Sequence, residues 1–287
     1  MQGIITKGIA GFYYVWSEGR IYECKAKGVF RKKGITPLAG DKVEFSLTKE
    51  GMGSVDDILP RRNYFDRPPV ANVESFILVA AAKDPEPSFL MLDRFTVMAE
   101  KANADLIIVI NKEDLATQQQ LDELRDAYEN IYPFFVISVK NGTGIDELRK
   151  AVAGKQLALA GPSGVGKSSL TNLLIGEGSA ETGEISERLL RGKNTTRHSE
   201  LFAGDGFFLF DTPGFTSFEV NLDDETQLAS YFPEFSDCVG KCRFNDCRHL
   251  NEPECAVREA VDRKKISLSR YNSYKDIYKT IAEKRKY

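Results

Sequence analysis

The sequence predicts three consecutive domains: an all-β barrel, a doubly wound α/β domain and a small, mainly helical module rich in cysteine. Short β-forming runs separated by turns fill residues 1–62, and buried-type strands alternate with helical patterns in residues 63–220. Four cysteines follow within residues 238–255, in the third predicted domain, residues 221–287. A chain of 287 residues is long enough for this arrangement.

The first domain reads as a small closed barrel. Its β-forming runs are Gly3–Ile9, Phe12–Trp16, Arg20–Lys25, Lys42–Thr48 and Ser54–Leu59. Five short strands in this length fit an OB-fold, a fold that commonly binds nucleic acid, although that argument is by fold analogy alone. We expect Arg31–Gly34 on a loop, Trp16 and its neighbouring tyrosines in the barrel core, and Cys24 as a small buried side chain.

The second domain alternates apolar strands with helices. The predicted strands are 75–82, 105–110, 134–138 and 155–160, with a hairpin over 200–203 and 207–210, and the predicted helices are 89–102, 117–130, 144–153 and 167–175. Strands that are apolar throughout are typical of a parallel sheet covered on both faces. Ligands of such sheets bind at the carboxyl ends of the strands, and the motifs of this domain all follow strands.

The segment Gly161–Ser168 reads G-x-x-x-x-G-K-S, between a predicted strand and a predicted helix. This is a phosphate-binding loop, in which glycines let backbone N–H groups approach the phosphates. Lys167 adds positive charge at the β- and γ-phosphates, and Ser168 offers a hydroxyl to Mg²⁺. The predicted nucleotide contacts are Gly161, Pro162, Ser163, Gly164, Val165, Gly166, Lys167, Ser168 and Ser169.

A second motif, N-K-x-D, precedes the phosphate loop and is formed by Asn111, Lys112, Glu113 and Asp114. The Asp114 carboxylate can accept two N–H groups from guanine, which argues against an ATPase or a kinase. Asn111 either braces the loop or contacts the base, and the Lys112 stem would cover the face of the base.

The segment Ser138-Val139-Lys140 resembles the S-A-K element that backs the base in GTPases. Ordinary GTPases have the phosphate loop first, so the reversed order predicts a circular permutation, which compact domains tolerate.

The remaining nucleotide contacts are predicted after the phosphate loop. Asp211-Thr212-Pro213-Gly214 matches D-x-x-G, and Thr195 and Thr196 lie in a long polar loop that reads as a switch. Ser168, Thr196 and Asp211 are the predicted Mg²⁺ ligands. Phe215 follows Gly214 where Ras-like enzymes have a water-orienting Gln, so intrinsic hydrolysis is expected to be slow.

The cysteine cluster predicts one structural zinc ion. Cys242, Cys247, His249 and Cys255 supply the donors that tetrahedral Zn²⁺ takes, and Cys238 remains an alternative to His249. A site filled by four protein ligands leaves no open position for catalysis, which disfavours a zinc hydrolase.

Charge is distributed unevenly around a net value of −3. Residues 1–62 carry +4, residues 63–240 carry −13 and residues 241–287 carry +6. Basic ends suggest contact with a polyanion, although a solvated surface explains them as well. No apolar run reaches the length of a membrane span and the N-terminus lacks a signal-peptide layout, so the prediction is a cytoplasmic protein.

The motif order N-K-E-D, G-P-S-G-V-G-K-S-S, T-T-R-H, D-T-P-G-F and C-x₄-C-x-H-x₅-C resembles the RsgA family (also YjeQ or YloQ), bacterial small ribosomal subunit biogenesis GTPases, over essentially the whole chain. The resemblance implies an OB-fold, a circularly permuted GTPase domain using Mg²⁺ with GTP or GDP, and a zinc module. It implies a monomer that docks on the 30S subunit and its 16S rRNA late in maturation. The subunit would stimulate hydrolysis, which would release the protein itself or another assembly factor.

One position departs from the family pattern. Many members carry His directly before the paired switch threonines, where this chain has Asn194. Asn194, Thr196 and His198 are therefore only candidates for a catalytic role, and no catalytic base is assigned. A GTP-regulated rRNA-binding module with incidental hydrolysis remains the alternative function.

Overall fold

The computed structural model describes residues 1–32, 34–48, 52–175, 199–204, 206–211, 220 and 222–284. Two units are distinguished, one comprising residues 1–77, 145–160 and 167–215, and the other residues 78–144, 161–166 and 216–287. The three domain boundaries expected from the sequence stay predictions.

The N-terminal strands close into a barrel. They are β1 (Gln2–Ile9), β2 (Phe12–Ser17), β3 (Arg20–Ala26), β4 (Lys42–Leu47) and β5 (Gly53–Ile58), in the order β1-β2-β3-β5-β4. Its core contains Ile5, Val15, Val43, Phe45 and Val55, together with Cys24, which is fully buried as predicted.

Two expectations for the barrel were wrong. Residues Gly28–Lys32 form a short helix, α1, so Arg31 and Lys32 are helical rather than part of a loop. The reason is Phe30, which is buried in the barrel core and fixes this turn of chain. Trp16 lies outside the barrel core, because side chains alternate along a strand and its neighbours Val15 and Ser17 are the buried ones.

A six-stranded sheet follows a short hairpin of β6 (Tyr64–Asp66) and β7 (Pro69–Ala71) that the sequence analysis did not predict. Its strands are β8 (Ser75–Ala81), β9 (Asp105–Asn111), β10 (Phe134–Val136), β11 (Gln156–Ala160), β12 (Glu200–Ala203) and β13 (Phe208–Asp211), in the order β10-β9-β8-β11-β13-β12. The pairs β9/β10 and β11/β13 are parallel, whereas β12/β13 is the antiparallel hairpin expected from the sequence.

Four helices of the described residues lie between these strands: α2 (Phe89–Lys101), α3 (Gln118–Tyr128), α4 (Ile145–Val152) and α5 (Lys167–Ile175). Local sequence sets where two of them begin. The Ser88 hydroxyl accepts from the Met91 N–H, and Thr117 and Gln120 form a capping box. These starts agree with the predicted helices to within a residue.

The C-terminal region is mainly helical. It contains 3-10 helices at Glu225–Tyr231 and Pro233–Cys238, then α6 (Ala256–Asp262) and α7 (Leu268–Lys284). Its core, which includes Phe232, Phe235, Tyr274 and Ile277, continues onto Val97 of α2. Among the helices that the structure describes, every one is too short or too polar to cross a bilayer.

A fully buried guanidinium group lies where α7 meets α2. Arg270 donates to Asp93 Oδ1 at 2.7 Å and to Thr96 Oγ1 at 3.0 Å, and it makes a bidentate pair with Glu234 at 2.7 and 2.9 Å. Its guanidinium carbon lies 4.7 Å from the centre of the Phe232 ring. Burial alone would lower the pKa of Arg270, but Asp93 and Glu234 hold it well above its usual range. This network was not predicted from the sequence.

Candidate nucleotide site and metal centre

The loop between β11 and α5 depends on glycine at two points. A Cβ on Gly161 would lie 2.1 Å from the Val79 carbonyl oxygen, at a φ of +131°. A Cβ on Gly166 would lie 2.4 Å from Asn111 Nδ2, at a φ of +96°. Only glycine combines this backbone conformation with such close approaches. The loop is therefore packed directly against β8 and against the end of β9, where the other motif begins.

Asn111 joins the two motifs that the chain presents in reversed order. At the end of β9, its Nδ2 donates to the Val165 carbonyl at 2.8 Å and its Oδ1 accepts from the Val139 N–H at 3.0 Å. The side chain is buried, so both bonds are shielded from water. Of the two roles considered for Asn111, the geometry favours bracing, because its amide already has partners on both sides.

Asp114 is prepared to accept hydrogen bonds. Ser138 is buried, and its hydroxyl donates to Asp114 Oδ1 at 2.7 Å, while Lys140 Nζ lies 3.8 Å from Asp114 Oδ2. The Ser138 hydrogen bond, aided by the charges of Lys140 and Lys112, lowers the pKa of the Asp114 carboxyl. An ionised carboxylate in a fixed orientation can accept the paired N–H groups of a guanine edge.

Lys112 is held by a loop that the sequence analysis did not assign to the site. Its backbone is left-handed, with a φ of 64°, and its ammonium donates to the Asp84 carbonyl. Asp84 and Pro85 follow β8, and a Cβ on Gly164 would lie 3.8 Å from Pro85 Cδ. The signal available in the sequence was a proline-rich turn directly after a buried strand, which is where ligands of parallel sheets bind.

Helix α5 begins at Lys167, directly after the glycine loop. Burial lowers the pKa of Lys167, and an anionic ligand beside it would favour the charged form. Ser168 and Ser169 are exposed in the first turn. A helix N-terminus with exposed hydroxyls and backbone N–H groups favours a phosphate and its metal ion.

Several predicted contacts lie outside the described residues: Asn194, Thr195, Thr196, His198 and Gly214. Phe215 lies outside them as well. The backbone of Asp211 is described and ends β13, opposite Glu200 of β12.

Four side chains of the C-terminal region converge on one point. The ligand atoms of Cys242, Cys247, His249 and Cys255 all lie within 4.8 Å of one another. His249 Nδ1 is 3.6 Å from Cys242 Sγ and 3.4 Å from Cys255 Sγ, and these two sulfurs are 4.0 Å apart. Tetrahedral zinc with its usual bond lengths separates two sulfurs by about 3.8 Å and a sulfur from a nitrogen by about 3.6 Å. The donor set therefore fits a zinc ion.

The alternative donor Cys238 has a different partner. Its Sγ donates to the Ala256 carbonyl at 3.5 Å and it is not a member of the cluster. The cluster is supported from α7, where Tyr271 donates to the His249 carbonyl at 2.8 Å and Tyr274 to the Arg248 carbonyl at 2.8 Å. Burial raises the pKa of the Cys247 thiol to about 12. A bound cation would lower that pKa, because it favours the thiolate.

Comparison with known proteins finds two family models that match this chain. The RsgA N-terminal domain matches residues 2–55 and the RsgA GTPase domain matches residues 58–221. Among curated relatives, proteins named small ribosomal subunit biogenesis GTPase RsgA are 44% identical in Agathobacter rectalis, covering 100% of both chains, and 45% identical in Caldanaerobacter subterraneus, covering 100% of this chain and 97% of the relative.

Two solved structures have the same architecture. The crystal structure of YjeQ from Thermotoga maritima is 36% identical, with a TM-score of 0.85, and covers 98% of each chain. YloQ, described as a circularly permuted GTPase, is 32% identical, with a TM-score of 0.84, and covers 99% of this chain and 95% of its own. The likeness therefore extends over the barrel, the permuted domain and the cysteine module.

Proposed function

This chain belongs to the RsgA GTPase family, and from that premise we propose that it hydrolyses GTP to GDP and phosphate on the 30S ribosomal subunit late in its maturation. The observation that carries the proposal is the Asn111 side chain, which hydrogen-bonds both the phosphate loop and the segment behind the base. That bridge lets one guanine nucleotide contact motifs whose order in the chain is reversed.

The proposed roles follow the chemistry of each group. Asp114 accepts the guanine N–H groups, Lys112 covers the base, and Ser138-Val139-Lys140 backs it. Gly161–Ser169 would hold the phosphates, and Ser168, Thr196 and Asp211 would hold Mg²⁺. Phosphoryl transfer needs positioned charge more than covalent chemistry, so donors fixed before the ligand binds would position the phosphates and stabilise their charge.

Two positions of the chain support stimulation by the ribosomal subunit, because neither carries the residue expected to assist hydrolysis. Phe215 cannot orient a water molecule, and Asn194 replaces a histidine common in the family. We infer that a group of the docked subunit completes the site, and that hydrolysis triggers release of the protein or of another assembly factor. Asn194, Thr196 and His198 remain candidates for a part in that step.

Ribosomal RNA is the partner that the charge pattern favours. The ends of the chain carry +4 and +6 while the centre carries −13, so 16S rRNA would be bound by the barrel and the C-terminal module. We infer that the protein acts as a monomer in the cytoplasm. The Cys₃His cluster would hold one structural Zn²⁺, consistent with cysteines that form no disulfide.

The proposal is tested by measuring GTP turnover with mature 30S subunits, immature 30S subunits and free 16S rRNA at matched salt. We expect slow turnover alone and a large increase with subunits, greater than with free rRNA. Salt-sensitive binding of the subunit without any increase in turnover would instead support the alternative, an RNA-binding module with incidental hydrolysis.

Base identity has its own test. Asp114→Asn exchanges an acceptor for a donor, so we expect weaker GDP binding and a gain in binding of xanthosine diphosphate. Asp122→Asn, an exposed acid on α3, is the matched control and should change neither affinity. Equal affinities of Asp114→Asn and the parent protein for both nucleotides would remove guanine recognition from Asp114.

A further inference from the structure

The barrel presents a rigid loop, Leu38–Asp41, between α1 and β4. Asp41 is fully buried and forms a bidentate pair with Arg61, with Nε and Nη2 each at 2.8 Å from a carboxylate oxygen. The same carboxylate accepts from the Leu38 N–H at 2.7 Å. Buried, charge-assisted bonds of this kind hold a short loop in one conformation.

Gly40 is the point at which this loop meets the rest of its unit. Its N–H donates to the Ile5 carbonyl at 2.8 Å, and its carbonyl accepts from Asn72 Nδ2 at 3.0 Å. A Cβ there would lie 2.0 Å from the Ala71 carbonyl oxygen and 2.6 Å from Phe210 Cζ, at a φ of +91°. The bare Cα of Gly40 therefore forms a seat that fits the edge of the Phe210 ring.

The hairpin of β12 and β13 turns one aromatic face toward the barrel. Side chains alternate along β13, so Phe208 and Phe210 share a face. The Phe208 ring packs edge-on against Trp16 of β2, with centroids 5.0 Å apart. At the outer strand, Lys7 of β1 pairs with Glu200 of β12 at 3.1 Å. The opposite face of the hairpin carries Phe202, which lies across from Leu209.

Phe210 directly precedes Asp211, the last residue of β13. Any movement of the Phe210 ring on its seat is passed through one peptide bond to the backbone that carries the Asp211 carboxylate. We propose that Phe210 is a positioning residue for the Mg²⁺–GTP site, held in place by Gly40 of the barrel. The inference rests on the proposed role of Asp211 as a Mg²⁺ ligand but not on the ribosomal partner.

The consequence is a division of the site into two parts that respond differently. The guanine loop and the phosphate loop are joined by Asn111, which lies in neither the barrel nor the β12–β13 hairpin. Loss of the seat should therefore weaken the contribution of Mg²⁺ to GTP binding while leaving metal-free binding intact.

The test uses Phe210→Leu in the full-length protein and a non-hydrolysable GTP analogue, with affinity measured in Mg²⁺ and in EDTA. The parent protein should bind the analogue more tightly in Mg²⁺. We expect Phe210→Leu to reduce this Mg²⁺-dependent gain in affinity about tenfold. Displacing a group at a site by about an ångström can change reaction rates by that factor or more, and we expect metal binding to be similarly sensitive. Its affinity in EDTA should remain that of the parent.

Phe202→Leu is the matched control, because it makes the same change at a buried position on the other face of the same hairpin. Trp16→Leu loosens the packing of Phe208, which shares a face with Phe210, without changing the hairpin sequence, and should lower the gain in the same direction but less. A structural role alone would lower the melting temperature of all three variants and leave the Mg²⁺-dependent gain unchanged.

Two outcomes overturn the inference: a parental Mg²⁺ gain in Phe210→Leu, or an equal loss in Phe202→Leu. Neither outcome depends on hydrolysis or on ribosomal subunits. Failure of subunits to stimulate turnover would therefore remove the proposed function and leave this test readable.

Discussion

The barrel buries apolar side chains supplied by its own strands and α1, whereas the C-terminal helices bury a guanidinium group and share their core with α2. In the barrel, the hydrogen-bonded strands form a closed sheet whose core contains Val15, Val43 and Phe45. In the C-terminal region, Arg270 and the Cys₃His cluster lie among aromatic rings, and Val97 of α2 belongs to the same core. Both regions bury apolar side chains, but the C-terminal region adds a network around Arg270 and a Cys₃His cluster to its core.

This difference predicts how each region fails. Apolar cores lose stability gradually with the volume removed, because neighbouring side chains relax into the space. Removing a buried charge or a metal ligand causes a large loss of stability in one step, because its partners remain desolvated. The single tryptophan, Trp16, lies on the barrel. Its fluorescence therefore reports the barrel, while far-UV circular dichroism reports the helices, which apart from α1 lie outside the barrel.

The largest expected effect is loss of the metal site. Cys255→Ser, or chelation of the parent protein, should abolish binding of one zinc ion per chain and unfold the C-terminal helices, at a cost of up to about 10 kcal/mol. Helical circular dichroism should fall while Trp16 emission stays unchanged. Cys238→Ser keeps a donor for the Ala256 carbonyl and is the control that should retain zinc. Simultaneous loss of both signals would contradict the contrast between the regions.

Arg270→Met should have the next largest effect. It leaves the carboxylates of Asp93 and Glu234 buried without their cation, which costs about 3–5 kcal/mol of unfolding free energy. Denaturant unfolding followed by circular dichroism measures the loss. Arg263→Met removes an exposed pair with Glu259 and should cost less than about 0.5 kcal/mol. If Arg270→Met cost no more than Arg263→Met, the Arg270 side chain would contribute through its packing and not through its charge.

The cost of Arg270→Met should depend on pH. Burial raises the pKa of Asp93 above its ordinary value of 3.8, and the Arg270 charge opposes that rise. In the variant the folded state holds the Asp93 proton more tightly than the unfolded state does, so stability rises as pH falls through the raised pKa. We expect the variant to lose less stability at about pH 5 than at about pH 8. A pH-independent cost would show that Asp93 stays ionised.

The smallest effect is expected at the barrel surface. Lys7→Gln removes an ion pair with Glu200 whose side chains are 27% and 22% exposed, so it should cost about 0.5 kcal/mol and the cost should shrink at high salt. A double-mutant cycle with Glu200→Gln isolates the pair. A coupling energy near that of the Arg270 network would erase the distinction drawn between the two regions.

Local motifs were predictable from the sequence because their chemistry is contained in contiguous residues. The glycine loop at Gly161–Gly166, the N-K-x-D segment and the Cys₃His spacing each identify their elements without reference to the fold. The barrel strands were predicted to within one or two residues, since alternation and turn residues define them locally.

Contacts between distant parts of the chain were not predictable. Arg270 lies in a Tyr- and Lys-rich segment near the end of the sequence, and its partner Asp93 is 177 residues away. Likewise, the position of Trp16 outside the barrel core could not be predicted, because its partner Phe208 belongs to a strand far along the chain. The bracing role of Asn111 stayed open for the same reason, because it depends on the Val165 carbonyl.

The ends of the six-stranded sheet bear on how the protein behaves at high concentration. Unpaired strand edges can recruit another chain and start fibrous aggregates. Here β10 offers only three residues, while β12 lies beside β1 and is tied to it by Lys7 and Glu200. Separating the barrel from β12 would expose an unpaired strand edge. Variants that weaken this contact should therefore be screened for turbidity as well as for activity.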